Sequence, residues 1–332
     1  MRKPAREQAR NTLVPGHALP DDQASASCEL REEQTKMERF FANWLLCGLV
    51  LTGSLAAQKA NPAAVSKRPT AVFAVIDSGK YIEPIGKIEK GKLAQFGEAP
   101  NFGRIFYAPN TTYTLVFAGG PDGKVTVAKS LIGTECAGNT AEVSVASTKA
   151  KLKGFVMGLG TNAVVKSKAA GVRRLPTAAE RAEIESLVRA EFKKQGVSDA
   201  VVKKLDYHNL TAIDVDRDGT PELVGTFWVA PTEKNRNLLF FIAEKRVGGA
   251  YAFSVSNYEA FTPDDIMSGD AKDLDNGILH ELLLDSLDVD GDGIDEIFTT
   301  TQAFEGRNFD VYRRAGGKWR KVFESRNFRC GY

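Results

Sequence analysis

Two short acidic segments contain the side chains whose types and spacing are best suited to bind a ligand. In each segment, acidic residues occupy positions 1, 3, 5 and 9, and glycine occupies position 6. The first set is Asp214, Asp216, Asp218 and Glu222, and the second is Asp288, Asp290, Asp292 and Glu296. Alternate aspartates in a tight loop point their carboxylates toward one centre, and glycine permits the sharp turn. Because unit charges about 4 Å apart repel by roughly 4 kcal/mol at an effective dielectric of about 20, the spacing predicts a bound cation.

Calcium is the cation that best fits these oxygen donors. Ca²⁺ takes roughly six to eight oxygen ligands, whereas Mg²⁺ prefers a compact octahedron and keeps its water ligands. Zinc is disfavoured because neither segment contains histidine or cysteine. We therefore expect two Ca²⁺ sites of structural rather than catalytic role, with Asp295, at position 8 of the second segment, pointing away from the ion. The alternative is an acidic turn without metal. This alternative has more support in the first segment, because Arg217 adds a positive charge there and Pro221 adds stiffness.

The flanking residues exclude an EF-hand. An EF-hand loop needs glutamate at position 12 and a helix on each side. Position 12 is Gly225 in the first segment and Thr299 in the second. Both segments lead instead into β-favouring runs, LVGTFWV at 223–229 and IFTTT at 297–301. Each acidic segment is therefore predicted to connect two strands.

The two segments belong to an internal repeat. LTAIDVDRDGTPELVGTFWV (210–229) aligns with LDSLDVDGDGIDEIFTTTQA (284–303) at a constant offset, so that Asp214 matches Asp288. Each copy is followed by two further β-like runs around a Gly-Gly turn. One repeat is thus predicted to contain four strands, which is the size of a propeller blade.

The pattern D-x-D-x-D-G-x-x-E followed by an apolar strand resembles the FG-GAP repeats of integrin-type β-propellers and the related bacterial VCBS repeats. The resemblance covers about 205–328 and is carried by the acidic segments. It implies Ca²⁺ held between two strands of a blade by positions 1, 3, 5 and 9. The Phe-Gly and Gly-Ala-Pro signatures of the family are not evident, and two units are too few to close a propeller ring. Either the N-terminal strands supply divergent blades, or the two units form an open sheet stack capped by a helix.

The elements before the repeats predict a β-domain and one helix. Short β-like runs between turn signals, among them AVFAVI, YIEPIGKIE, RIFYA, TYTLVFA and AEVSVAS, indicate an antiparallel β-domain. Pro84 within the second run is typical of an edge strand. Thr177 and Glu180 form a capping box, and Gly196 ends the helix that follows. The predicted fold class is mainly β: an N-terminal antiparallel β-domain, one connecting helix, then two blade-like four-stranded repeats with calcium-binding loops.

Export is predicted from the residues after Met37. Arg39 supplies a positive charge, an apolar run follows, and small residues precede Gln58, as in a cleaved signal peptide. The alternative is an uncleaved single-span anchor, which would be the chain's one membrane contact. In chain order we predict a disordered extension or mis-assigned start (1–36), a signal peptide (37–57), a linker (58–70), the β-domain (71–170), the connecting helix (175–196) and the repeat domain (205–330, with units at about 207–274 and 282–328).

Export bears on the four cysteines. Cys28 and Cys47 precede the predicted cleavage point, which leaves Cys136 and Cys330. A pair of cysteines in an oxidising compartment predicts one disulfide, with two unpaired thiols as the alternative.

The composition of the chain and the motifs that it lacks reduce the number of possible functional classes. A net charge of +2 with dispersed Lys and Arg argues against nucleic acid as a partner. His280-Glu281 begins like a zinc-protease motif, but the second histidine is missing, and His208 is interpreted as a packed or surface residue. We expect an exported calcium-binding, non-enzymatic binding or surface-interaction module for an unidentified protein or glycan ligand. The alternatives are an exported calcium-stabilised hydrolase or lyase, and a purely structural envelope protein.

Overall fold

The computed structural model describes residues 68–97, 100–166 and 171–330. The predicted extension and signal peptide lie outside these residues. In the described ranges, no helix combines the length and apolar character needed to cross a membrane.

The described chain is mainly β. The strands of its N-terminal part are β1 (Ala71–Ile76), β2 (Tyr81–Glu89), β3 (Lys92–Ala94), β4 (Thr112–Phe117), β5 (Gly120–Ser130), β6 (Ala141–Ser147) and β7 (Gly158–Thr161). Those of its C-terminal part are β8 (Arg173–Arg174), β9 (Asp206–Ile213), β10 (Glu222–Val229), β11 (Arg236–Lys245), β12 (Tyr251–Phe261), β13 (Glu281–Leu287), β14 (Glu296–Ala303), β15 (Gly306–Ala315) and β16 (Lys318–Phe328). The helices are α1 (Phe102–Phe106), α2 (Ala178–Lys194), α3 (Asp199–Val202) and α4 (Lys272–Asp275), with short 3-10 turns at Asp77–Gly79 and Pro263–Asp265.

The N-terminal part forms a six-stranded antiparallel β-barrel. Its strand order is β1-β7-β4-β5-β6-β2, and pairing of β2 with β1 closes the ring, while β3 adds to β2 outside it. The run RIFYA, predicted as a strand, is instead mostly the helix α1. Phe102 and Phe106, four residues apart on that helix, pack together into the barrel core, so tertiary burial overrides the β-propensity of the run.

Strand β1 explains why the barrel and the repeats share a core. Its six residues, AVFAVI, are all fully buried. Phe73 and Val75 point into the barrel, whereas Val72 and Ala74 join a second core that contains residues of β13 to β16. Because successive side chains of a strand point to opposite faces, an unbroken apolar run is what a strand buried on both faces requires.

The long helix α2 caps the first repeat. Its predicted capping box is present, since the Thr177 side chain accepts from the Glu180 amide and the Glu180 side chain accepts from the Thr177 amide. Ile184, Val188 and Phe192 form its buried stripe, which packs against one face of the first repeat sheet.

Each repeat folds as a four-stranded antiparallel meander. Strands β9 to β12 form the first sheet and β13 to β16 the second, each in sequential order. The first sheet gains a fifth strand, because β8 pairs with β9 through Arg173 and Arg174. The sequence predicted four strands here, since a two-residue strand carries no periodic signal.

The repeats therefore lie inside a stack of four layers. One buried core joins α2 to the first sheet, another joins the two sheets, and a third joins the second sheet to the barrel. Trp319 lies in the core between the two sheets. The structure is closer to the helix-capped sheet stack than to a propeller with divergent N-terminal blades. The stack is not open, because the barrel covers the face opposite the helix.

A buried ion pair anchors this junction. The Asp285 carboxylate of β13 is fully buried and lies 2.5 Å from the Arg173 guanidinium of β8. Asp285 also accepts hydrogen bonds from the backbone amides of Ala118 and Gly119, at 3.0 and 3.1 Å, in the β4–β5 turn of the barrel. One side chain thus connects both sheets to the barrel.

The chain end is tied to the barrel by a disulfide between Cys136 and Cys330. Close to it, the fully buried Glu83 of β2 accepts a 2.8 Å hydrogen bond from Asn327 and another from Arg329. Pro84, predicted in an edge strand, lies instead in β2 of the closed ring, at a point where β2 pairs with β1 alone, between its short pairings with β6 and β3. A proline there interrupts no ladder on the open side.

Candidate metal loops

The two acidic segments occupy the same position in each repeat. Loop 1 (214–222) connects β9 to β10, and loop 2 (288–296) connects β13 to β14. The position 6 glycines, Gly219 and Gly293, have φ values of +86° and +93°, which a side chain would strain. The strand–loop–strand setting predicted from the sequence is therefore present in both copies.

The two loops have the same pattern of internal hydrogen bonds. The amide of position 6 donates to the aspartate at position 1, at 3.1 Å in loop 1 and 3.2 Å in loop 2. The amide of position 5 donates to position 3 (3.3 and 3.2 Å), and that of position 7 to position 5 (2.6 and 2.8 Å). The amide of position 2 donates to the glutamate at position 9 (3.2 and 2.8 Å). Four equivalent bonds hold the carboxylates on the inside of each turn, as the spacing requires.

Each loop brings three carboxylates together. Oxygen atoms of Asp214, Asp216 and Asp218 lie within 4.8 Å of one another, as do those of Asp288, Asp290 and Glu296. Ligands about 2.3–2.6 Å from a shared Ca²⁺ would lie no further apart than roughly 5 Å. Both triads could hold a metal ion.

The two remaining predicted ligands fall outside these triads. Glu222 is buried and accepts from the Val215 amide, whereas Asp292 is exposed and caps the Ile294 amide. The triads thus contain six of the eight predicted ligands, and the loops differ in whether position 5 or position 9 completes the group.

One oxygen of loop 1 lacks a partner. Asp214 is 6% exposed, and its Oδ1 has no hydrogen-bond partner among the described residues. In loop 2 the matching oxygen of Asp288 accepts from the Gly291 amide at 2.5 Å. An unpaired buried carboxylate oxygen costs about 1–3 kcal/mol or more, so a cation ligand at this point would remove an existing penalty.

Burial shapes the charge of the position 9 glutamates. Burial raises the pKa of Glu222 to about 8, and it raises the pKa of Glu296 to about 7 even though Arg313 opposes the shift. Protons and cations are therefore expected to compete for these two carboxylates.

Consecutive arginines of β15 reach the two loops. Arg313 lies 2.6 Å from Glu296 and 3.2 Å from Asp290 in loop 2. Arg314, which points to the opposite face of the strand, lies 2.8 Å from Asp216 in loop 1. These guanidinium groups supply positive charge to both acidic clusters.

Two histidines far apart in sequence meet near the first sheet. The His208 ring of β9 and the His280 ring lie 4.7 Å apart between centroids, beside Trp228. His280 is fully buried, and burial, assisted by His208, lowers its pKa to about 3. The interpretation of His208 as a packed residue agrees with its half-buried position. The sequence did not predict the pairing, because no motif links residues on separate repeats.

A partly buried carboxylate at the sheet junction was also missed. Glu281 accepts hydrogen bonds from Thr299 and Tyr312, at 2.7 and 2.8 Å, and burial raises its pKa to about 7. Asp275, in the acidic stretch between the repeats, lies 2.5 Å from the Arg236 guanidinium.

Comparison of the chain with protein-family models, with curated proteins and with solved structures gives no match. The resemblance to FG-GAP and VCBS repeats therefore stays a prediction that rests on the acidic loops and their repeated setting.

Proposed function

We propose that the chain is an exported calcium-binding protein of FG-GAP or VCBS type, whose two repeats act as a binding or surface-interaction module rather than an enzyme. The observation that carries this proposal is the shared geometry of loops 1 and 2. The two segments have the same spacing of acidic residues and form the same pattern of hydrogen bonds. Each segment also brings three acidic side chains together. Three converging carboxylates in each copy support a cation as the ligand that the two loops share.

The donor set fits Ca²⁺. All side-chain donors are carboxylate oxygens, which are hard ligands, and the unpaired Oδ1 of Asp214 offers a position for a cation. Asp214, Asp216, Asp218 and Glu222 would hold the first ion, and Asp288, Asp290, Asp292 and Glu296 the second. An ion in each loop would fix the strand connection at the same end of both sheets.

The layered architecture favours a structural role for the ions. Both outer faces of the repeat pair are covered, one by α2 and the other by the barrel. A protein or glycan ligand would therefore bind at strand edges and loops. A metal ion would stabilise these parts because it binds only the folded chain. The disulfide between Cys136 and Cys330 is compatible with an oxidising compartment outside the cytosol.

Calorimetric titration of the EDTA-treated full chain with CaCl₂ tests the metal assignment. We expect two ions per chain, a higher Tm with Ca²⁺, and a smaller response to Mg²⁺. No heat of binding together with an unchanged Tm would reject it. The binding role is tested separately by a glycan array and by capture of partners with immobilised Ca²⁺-loaded protein, and turnover in a panel of ester, glycoside and polysaccharide substrates would favour the hydrolase or lyase alternative.

A further inference from the structure

A cavity lies directly beside loop 2. It has a volume of about 260 Å³ and is lined by β3, which pairs with the barrel strand β2, and by residues of loop 2 and the second repeat sheet. Its apolar walls are Leu93, Val289, Val311, Val322 and Phe323. Three charged groups complete the lining, namely Lys92, Arg313 and Glu296. The lining of the cavity therefore combines apolar and charged side chains.

The cavity adjoins the β2–β3 hairpin. A second, larger hollow, lined by residues of this hairpin, shares Lys92 and Leu93 with the cavity. The hairpin also touches loop 2, since a Cβ atom placed on Gly91 would lie 3.3 Å from Asp290 Cα. A ligand in the cavity would accordingly contact both the barrel and the metal loop.

The charges at the cavity are not equivalent. Arg313 is the counter-ion of Glu296 and Asp290, at 2.6 and 3.2 Å. Lys92 is exposed and makes no ion pair with the residues that the structure describes. A divalent cation in loop 2 would take over both carboxylates and weaken their attraction for the guanidinium. Arg313 would then be able to hold an anion, and Lys92 lines the same cavity.

We propose that this cavity binds a small amphiphilic carboxylic acid, with its apolar part against Leu93 and Phe323 and its carboxylate on Arg313 and Lys92, and that a divalent cation in loop 2 strengthens this binding. The inference rests on the proposed function, because it uses the cation of loop 2. By linkage, the carboxylic acid strengthens cation binding by the same factor. Neither partner needs a large movement, since one side chain exchanges its counter-ion.

The test uses hexanoate as probe and hexanol as its uncharged analogue. Calorimetry on the full chain measures each probe in EDTA and in saturating CaCl₂. We expect hexanoate to bind about tenfold more tightly with Ca²⁺, within the usual range of coupled sites, and hexanol to bind equally in both conditions. Hexanoate should in turn tighten Ca²⁺ binding by about the same tenfold factor.

Variants locate the site. Arg313→Gln should abolish the Ca²⁺ dependence of hexanoate binding, and Lys92→Gln, at an exposed position, should weaken hexanoate binding while keeping that dependence. Arg104→Gln, an exposed arginine on α1, is the matched control and should behave as wild type. Absence of Ca²⁺ binding in the titration without hexanoate would overturn the proposed function itself. Two bound Ca²⁺ ions with hexanoate binding absent, Ca²⁺-independent or equal to that of hexanol would overturn this inference alone.

Discussion

The Arg217 guanidinium of loop 1 donates a 2.9 Å hydrogen bond to the Asp295 carboxylate of loop 2. Asp295 is buried and also accepts from Ser286 at 2.9 Å, while its own amide donates to Val215 in loop 1. Asp295 was expected to be a bystander to the metal. Asp295 lies outside both acidic triads and connects the two loops, and Arg217 takes part in that connection.

This connection can be separated from metal binding. Arg217→Met leaves the buried Asp295 carboxylate without its counter-ion, and we expect the free energy of unfolding to fall by about 3 kcal/mol. Asp295→Ala should cost less, about 1 kcal/mol, because it removes the buried charge itself and leaves only Arg217, which is 34% exposed and can be solvated. Urea denaturation of both single variants and the double variant measures the coupling energy. Both single variants should still bind two Ca²⁺ ions, and loss of an ion from Asp295→Ala would place Asp295 among the ligands.

Position 1 of each loop should carry the largest share of metal affinity. Asp214→Asn and Asp288→Asn each remove one charge from a triad and are expected to reduce the bound Ca²⁺ from two ions to one. Asp264→Asn, at an exposed position between the repeats, is the matched control. Calorimetric stoichiometry and the Tm increase with CaCl₂ are the measurements. Equal responses of all three variants would contradict the ligand assignment.

Local signals in the sequence predicted the local structure well. The capping box at Thr177, the strand–loop–strand repeats and the pair Cys136–Cys330 follow from short motifs and counts, and the structure contains them. Contacts between distant segments could not be predicted in this way. Asp285 and its partner Arg173 are 112 residues apart, and no periodicity identifies a buried carboxylate inside the apolar run LLLDSL. Closure of the barrel and its placement against the second sheet depend on the same kind of long-range burial.

The β4–β5 turn should not tolerate a side chain at Gly119. This glycine has a φ of +66°, and a Cβ atom there would collide with the Asp295 carboxylate. Gly119→Ala therefore combines backbone strain with displacement of a buried charge, and we expect a loss of at least about 3 kcal/mol of stability. Gly133→Ala is the control, because Gly133 also has a positive φ, +85°, but open space around it. Its loss should stay near 1 kcal/mol in chemical denaturation, and similar losses in both variants would show that strain alone acts at Gly119.

The buried histidine pair should make the protein sensitive to acid. The folded-state pKa of His280, about 3, lies below the unfolded value of about 6.5. His280 therefore costs no stability above about pH 6.5, and the free energy of unfolding falls as the pH drops below that value. One such group costs about 1.4 kcal/mol per pH unit, or about 2 kcal/mol between pH 6.5 and 5. Asp275, a charged group near the pair, is engaged by Arg236 and is not free to stabilise an imidazolium.

His280→Leu should remove that loss. Glu281 acts in the opposite direction, because its folded-state pKa of about 7 contributes stability at low pH that is lost as the pH rises from about 4.5 through 7. The measurement is therefore the difference between variant and wild type, in urea denaturation with EDTA at pH 7.5, 6.5 and 5. Since leucine replaces a ring whose two nitrogens have no partner among the described residues, the variant should match wild type within about 1 kcal/mol at pH 7.5. At pH 5 it should exceed wild type by about 2 kcal/mol. Parallel curves across this range would mean that His280 is not kept neutral by burial, and that acid acts on the repeats through their carboxylates instead.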